Sequence, residues 1–223
     1  MNIDKIKYII WDWNGTLVDD AWLFVDLINQ VLKKRGMKEV SLLDYRNYFC
    51  FPLEKYYNRL GFDFNVEPYE IPSMEFVSLY NQNKYRPQLY KKTICLLGLL
   101  KKRGIKNYLL SAQNNSSLLP LVNFYNISGA FEKISGTDNF HARGKSLLAN
   151  NLIESIGAKK EEILFIGDTN LDVKIASKAK AFILAATYGH QSKERFPVQK
   201  NVILADRFSK LFDLLNLKSQ AYL

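Results

Sequence analysis

The chain has 223 residues, 48% apolar and 24% charged, a balance that excludes disordered, collagen-like and disulfide-scaffold chains. Its 31 basic and 22 acidic residues give a formal charge of +9. The basic residues come in short clusters at 33–35, 91–92, 101–103 and 159–160, which read as solvated helix ends, so no nucleic-acid partner is expected. The longest apolar run, at 94–100, is far short of the ~18 residues that a bilayer requires, so no membrane partner is expected either. The first residues run directly into a strand-like segment without an export signal, and Cys50 and Cys95 lie far apart without metal-like spacing. Both features point to reduced thiols in a cytoplasm.

In chain order, the first apolar run of strand length covers 7–11. From about Asp20 to Tyr90 the pattern is helical without a convincing strand, punctuated by Pro52, Pro68, Pro72 and Pro87. Residues 45–90 hold thirteen of the thirty aromatics, which favours a packed helical unit over a long loop. Strand-like runs follow at 106–110, 163–166, 181–185 and, weakly, 202–204. Between them, Leu118, Leu121, Val122 and Tyr125 mark one helix, and Leu148, Leu152 and Ile156 another. Apolar strands without polar alternation, separated by helices, predict an α/β fold with a doubly wound parallel sheet. Its core comprises residues 1–18 and 91–223, and a helical unit at 19–90 is inserted after the first strand.

Open sheets of this class place their sites at the carboxyl ends of strands. The first run ends in Asp12, the second in Ser111-Ala112-Gln113, and the third in Gly167-Asp168-Thr169-Asn170-Leu171-Asp172, while Lys145 opens the helix before that third run. Two carboxylates, a hydroxyl and an ammonium suit a phosphoryl group. Asp12 can serve as nucleophile if a hard cation offsets charge repulsion, with Asp12 and Asp168 as oxygen ligands and Mg2+ as the natural occupant. Lys145, Ser111 and the backbone N–H groups after each strand would hold non-bridging oxygens, and Gly15 would let the backbone pass close to the ligand. Asp172 would anchor the metal's waters or Lys145.

These residues resemble the haloacid dehalogenase-like superfamily over essentially the whole chain. The motifs are Asp12-Trp13-Asn14-Gly15-Thr16-Leu17-Val18, then Leu110-Ser111-Ala112, then Gly144-Lys145-Ser146, then Gly167-Asp168 through Asp172. Each is weak alone; four in order are specific. The resemblance implies a Rossmann-like core with a small all-helical cap. Phe51-Pro52-Leu53 and Leu60-Gly61-Phe62-Asp63 are similar to caps of phosphoglycolate-phosphatase-like members. It further implies an aspartyl-phosphate on Asp12, and Mg2+ held by Asp12, Asp168 and the backbone carbonyl of Asn14, with Asp172 beside them. Gly15, Thr16, Ser111, Ala112, Gln113 and Lys145 would bind substrate. The implied activity is that of a phosphatase on a small phosphorylated metabolite.

One position departs from that pattern. Phosphatases of the family usually carry a second aspartate two residues after the nucleophile, where this chain has Asn14. An amide neither gives nor takes a proton near neutral pH, and the help it replaces is worth about 10²–10⁴-fold. A slow phosphatase, a phosphotransferase and a non-hydrolytic phosphate-binding or regulatory protein therefore stay open. Asp19 and Asp20 read as N-cap acids, with replacement of the missing proton donor as the lesser alternative. His141 and His190 read as solvated loop histidines, with a position facing the phosphate as the lesser alternative, and Tyr48, Phe49 and Phe51 as candidates to line the substrate cleft. A monomer is the default expectation, with a dimer left open.

Overall fold

The computed structural model describes residues 1–137 and 144–217. Six parallel strands form the central sheet: β1 (Tyr8–Trp11), β4 (Lys106–Asn114), β5 (Lys133–Thr137), β6 (Ile163–Gly167), β7 (Phe182–Ala186) and β8 (Val202–Ala205), in the order β5-β4-β1-β6-β7-β8. β1 lies between β4 and β6, with Trp11 opposite both Leu109 and Ile166. The chain thus builds outward on one side of β1 and then returns to its other side, which sets a topological switch at the carboxyl end of β1.

Alternate residues of the strands feed two cores. Ile9 and Trp11 face α5 (Thr93–Lys102), α6 (Asn115–Phe124) and α9 (Lys210–Leu214), packing with Leu96, Leu100, Leu118 and Leu211. Ile10 faces α7 (Lys145–Ile156) and α8 (Asn170–Lys178), packing with Ala149, Leu152, Val173 and Ala176. Burial on both faces explains the unbroken apolar runs.

The helical insertion comprises α1 (Ala21–Lys33), α2 (Leu42–Tyr48), α3 (Leu53–Leu60) and α4 (Glu70–Asn83). It joins the core through a short antiparallel ribbon of β2 (Val18–Asp19) and β3 (Gln88–Leu89). Its own core is aromatic, with Tyr45, Phe49, Tyr56, Tyr57, Phe62 and Tyr69 buried around Ile28, Val31 and Leu32 of α1. Arg35, from the basic cluster at 33–35, bonds Glu67 and Glu75 across this unit. Among the described residues, no helix is long and apolar enough to cross a membrane.

Three features differ from the sequence expectation. The edge strand β5 was not anticipated, because Lys133-Ile134-Ser135-Gly136-Thr137 holds a single large apolar residue. β4 runs on to Asn114, with a register shift after Leu110, so Ser111, Ala112 and Gln113 belong to the strand rather than following it. The β2–β3 ribbon is two residues a side, too short to leave a pattern.

Candidate active site

Pairing of β1 with β6 sets Trp11 opposite Ile166, so Asp12 lies level with Gly167 and Asp168 one residue beyond, each aspartate being the residue after its strand. Carboxylate oxygens of Asp12, Asp168 and Asp172 all lie within 4.8 Å of one another. Lys145, 2% exposed, puts Nζ 2.7 Å from Asp12 Oδ1 and 2.7 Å from Asp172 Oδ1. The other oxygen of Asp172 accepts from Thr169 N at 3.0 Å and Thr169 Oγ1 at 2.6 Å, a capping box that starts α8. Asp172 therefore holds Lys145 in place while it caps the helix. Asp168 accepts from Thr16 Oγ1 at 3.3 Å and from the backbone N–H of His190 at 2.6 Å.

The electrostatics follow from burial. Burial pushes Asp12 up to about 6, against the pull of Lys145, and Asp168 up to about 8. Burial alone would lower Lys145, but Asp12 and Asp172 outweigh it and hold the ammonium above its ordinary value. Three closely spaced acids thus face one ammonium. A compact set of hard oxygen donors with surplus negative charge fits a divalent cation such as Mg2+.

Asn14, two residues beyond Asp12, has both amide hydrogens engaged. Nδ2 donates to Asp20 Oδ2 at 2.5 Å and to the Tyr80 hydroxyl of α4 at 3.3 Å. Asp20 also accepts from Gly15 N at 2.8 Å and contacts His190 Nε2 at 3.1 Å through Oδ1. His190 Nδ1 in turn lies 2.7 Å from the Tyr45 hydroxyl of α2, and the ring packs 4.6 Å from Phe24 and 5.5 Å from Phe49, centroid to centroid. Two expectations are corrected here. His190 is not a solvated loop residue but is 2% exposed, and Asp20 occupies the N-cap position of α1 without making a capping bond, its oxygens turned inward. His190 directly follows the turn after β7, so inspection of the carboxyl end of that strand would have found it. His141 lies outside the described residues.

The remaining candidates separate. Ser111 is buried, with Oγ accepting from Gln113 N at 3.1 Å. Gln113 Oε1 accepts from Tyr80 at 3.4 Å, and its buried Nε2 has no protein partner. The Ala112 carbonyl accepts from Thr137 Oγ1 at 3.0 Å. These residues, with Asp12, Asn14, Lys145 and Asp168, line one end of a cavity of about 630 Å³ whose other end belongs to the helical insertion. Gly15 and Thr16 do not line it. Gly15 sits at φ +68°, where a Cβ would collide with Asp168 Oδ2 and His190 Cδ2. It serves close packing behind the carboxylates, and Thr16 spends its hydroxyl on Asp168. Phe49 and Phe51 line the cavity, whereas Tyr48 is 39% exposed and does not.

Comparison with known proteins agrees with this geometry. A family model described as haloacid dehalogenase-like hydrolase matches residues 9–186. A phosphoglycolate phosphatase of Aquifex aeolicus is 25% identical over 191 residues, covering 83% of this chain and 86% of its own length. Another, of Photorhabdus laumondii, is 24% identical over 96% of this chain and 94% of its own. A solved haloacid dehalogenase-like family hydrolase from Streptococcus pneumoniae superposes with a TM-score of 0.78 at 20% identity, over 95% of this chain and 99% of its own. With the strand order, the strand-end carboxylates and a family match across most of its length, the chain belongs to the haloacid dehalogenase-like hydrolases.

Proposed function

We propose that the protein is a magnesium-dependent phosphohydrolase that acts on a small phosphorylated metabolite through an aspartyl-phosphate on Asp12. The observation that carries this reading is the meeting of Asp12, Asp168 and Asp172 within 4.8 Å, with Lys145 bridging Asp12 and Asp172, at one end of a cavity that Asp12, Asp168 and Lys145 line. Two curated relatives bear the name phosphoglycolate phosphatase, which supports a phosphate ester as substrate.

Asp12, Asp168 and the backbone carbonyl of Asn14 would hold the ion, which when bound supplies the positive charge that lets a phosphate dianion approach a carboxylate. Lys145 bonds Asp12 directly and would share its hydrogens with a non-bridging phosphate oxygen. Ser111 Oγ and the unspent Nε2 of Gln113 would take the others. Asp172 positions Lys145 and does not need to touch substrate. The nucleophile's carboxylate attacks phosphorus, the ester oxygen leaves with its electron pair, and water later cleaves the acyl phosphate to regenerate Asp12. The cap shields these steps from bulk water. The two cysteines, Cys50 and Cys95, are free thiols, and we place the reaction in the cytoplasm with the protein as a monomer.

Asn14 favours a second reading, a phosphotransferase or a phosphate-binding regulatory protein on the same scaffold, because its amide supplies no proton for hydrolysis. Acetyl phosphate separates the two, since its leaving group departs without protonation. Magnesium-dependent phosphate release that Asp12→Asn abolishes is expected. No release from acetyl phosphate, with or without magnesium, would establish the second reading.

A further inference from the structure

We infer that the leaving group this site accommodates is an uncharged aromatic one, so that the substrate is a phosphate monoester of a phenol-type hydroxyl rather than of a short anionic acid such as glycolate. This rests on the phosphohydrolase reading of Asp12 and adds the chemistry of the substrate's other half.

The first observation is the wall facing the phosphate end. The cavity, about 630 Å³, is within the range of sites for drug-sized ligands, about 300–1,000 Å³, and a two-carbon acid would leave most of it empty. Its insertion side is built from aromatic rings, among them Phe24, Phe49, Phe51, Tyr56, Phe76 and Tyr80. These already pair with one another: Phe24 with Tyr80 at 5.5 Å and Phe49 with Tyr56 at 5.4 Å edge to face, and Phe24 with Phe76 at 5.4 Å tilted. A further ring extends such a lattice with favourable geometry.

The charge on that wall has the wrong sign for a carboxylate. Among the described residues, the only lining groups able to carry positive charge are Lys145 and His190. Lys145 is held between Asp12 and Asp172, and His190 is buried between Asp20 and Tyr45. The one ionisable carboxyl on the insertion side is Glu70, which repels an anionic leaving group. A site for glycolate would need a cation there to offset desolvation, whereas the wall offers neutral donors such as the buried, unpartnered Tyr56 hydroxyl, which can equally bond a substituent on a ring.

The second observation is independent of the cavity. Both hydrogens of Asn14 Nδ2 are spent on Asp20 and Tyr80, so the position that normally protonates the leaving oxygen has neither a proton nor a free donor. A phenol ionises near pH 10, so its oxygen departs as phenoxide without a proton partner, whereas an alkoxide is a far stronger base. In the first step a bond forms between Asp12 Oδ and phosphorus, the phosphorus–aryl oxygen bond breaks, and its electron pair leaves on the phenoxide, which takes a proton from solvent. In the second, water attacks phosphorus, the aspartyl oxygen–phosphorus bond breaks, the carboxylate returns, and the water's proton passes to phosphate or solvent. No co-reactant beyond water is required.

The test measures kcat/KM with magnesium on 1-naphthyl phosphate, a series of para-substituted phenyl phosphates, 2-phosphoglycolate and acetyl phosphate. The aryl esters are expected to exceed 2-phosphoglycolate by at least about a hundredfold, with rates rising steeply as the phenol becomes more acidic. Met74→Arg, at a cavity position that is 71% exposed and tolerant of substitution, is expected to narrow that ratio about tenfold by adding a cation to the mouth. In calorimetry on Asp12→Asn, benzylphosphonate is expected to bind more tightly than phosphonoacetate. Equal or better turnover of 2-phosphoglycolate, with acetyl phosphate still hydrolysed, would overturn the aromatic leaving group and leave the phosphohydrolase standing. Failure to hydrolyse acetyl phosphate and every ester would overturn both.

Discussion

Asn14→Asp tests the chemistry of the site most directly. The new carboxyl would lie where Asn14 Nδ2 now stands 2.5 Å from Asp20 Oδ2. Two carboxylates cannot both ionise at that separation, so the pair holds a proton and the carboxyl's affinity for it rises. That is the protonation state a general acid needs. General acid–base help is worth about 10²–10⁴-fold, but here the shared proton points partly at Asp20 and away from substrate, so the lower part of that range applies. A gain of at least about tenfold, and up to about a hundredfold, is expected for glycerol 3-phosphate, whose leaving alkoxide needs the proton. Acetyl phosphate, which does not need it, should change by less than about threefold. The gain should also fall away as pH rises and strips the shared proton, a descending limb that wild type lacks. The assay is phosphate release from both substrates across pH, with melting temperature as a check on folding. An unchanged rate on glycerol 3-phosphate, or an equal rise on both substrates, would refute the reasoning and point to another proton donor.

Burial raises Asp12 and Asp168 above their unfolded values, so in the metal-free protein the contribution of these two carboxyls to stability is fully present below the ordinary carboxylate range and is lost as pH rises through about 6 and about 8. Magnesium held as proposed would bind the ionised forms, so the rise in melting temperature it produces should be larger at about pH 8 than at about pH 5, and an equal rise at both would contradict the assignment. Gly15→Ala forces a Cβ against Asp168 and His190 at a positive φ, and is expected to cost about 3 kcal/mol, lowering the melting temperature by roughly 6–12 °C. Arg46 donates from Nε to the Gly189 carbonyl at 2.8 Å and from Nη2 to the Tyr188 carbonyl at 2.6 Å, binding α2 to the loop after β7. Arg46→Ala is expected to raise KM for an aryl phosphate about tenfold, equivalent to about 1.4 kcal/mol, while KM for acetyl phosphate stays within about twofold because that substrate does not reach the insertion. An equal rise for both would show that Arg46 acts on the phosphate end instead.

The sequence is most legible where one strand dictates both burial and chemistry. Ile9, Ile10 and Trp11 announce a doubly buried strand, and Asp12 and Asp168 follow their strands at the end where sites form. β5 was hidden because an edge strand does not need apolar residues on both faces; its Gly136 is there because a Cβ would come within 2.5 Å of the Gln113 carbonyl. α4 carries a weak helical stripe because its inner side, with Phe76 and Tyr80, faces a cavity instead of a packed core; its only fully buried residue is Pro72. The Asp20–His190 contact spans 170 positions and exists only once the helical insertion has docked. No local pattern encodes it. Each partner alone reads as a cap residue or a loop residue.

That contact also ties the insertion to the carboxylates. Asp20 begins the insertion one residue after β2, yet it binds Gly15 N, Asn14 and His190 of the core. His190 answers with its backbone N–H on Asp168 and its ring on Tyr45 of α2. The same loop grips the insertion further along, where Gln191 Nε2 donates to the Phe49 carbonyl at 2.7 Å and Ser192 Oγ to Asn47 Oδ1 at 2.7 Å. The insertion therefore cannot shift against the core without disturbing either the loop that caps Asp168 or the Asp20 carboxylate that fixes Asn14 and Gly15. Any change of charge at Asp168 acts in turn on the N–H that holds His190. Position of the aromatic wall and electrostatics of the carboxylate end are thus set by one set of hydrogen bonds, so that on the proposed function a substrate would be read at both ends at once.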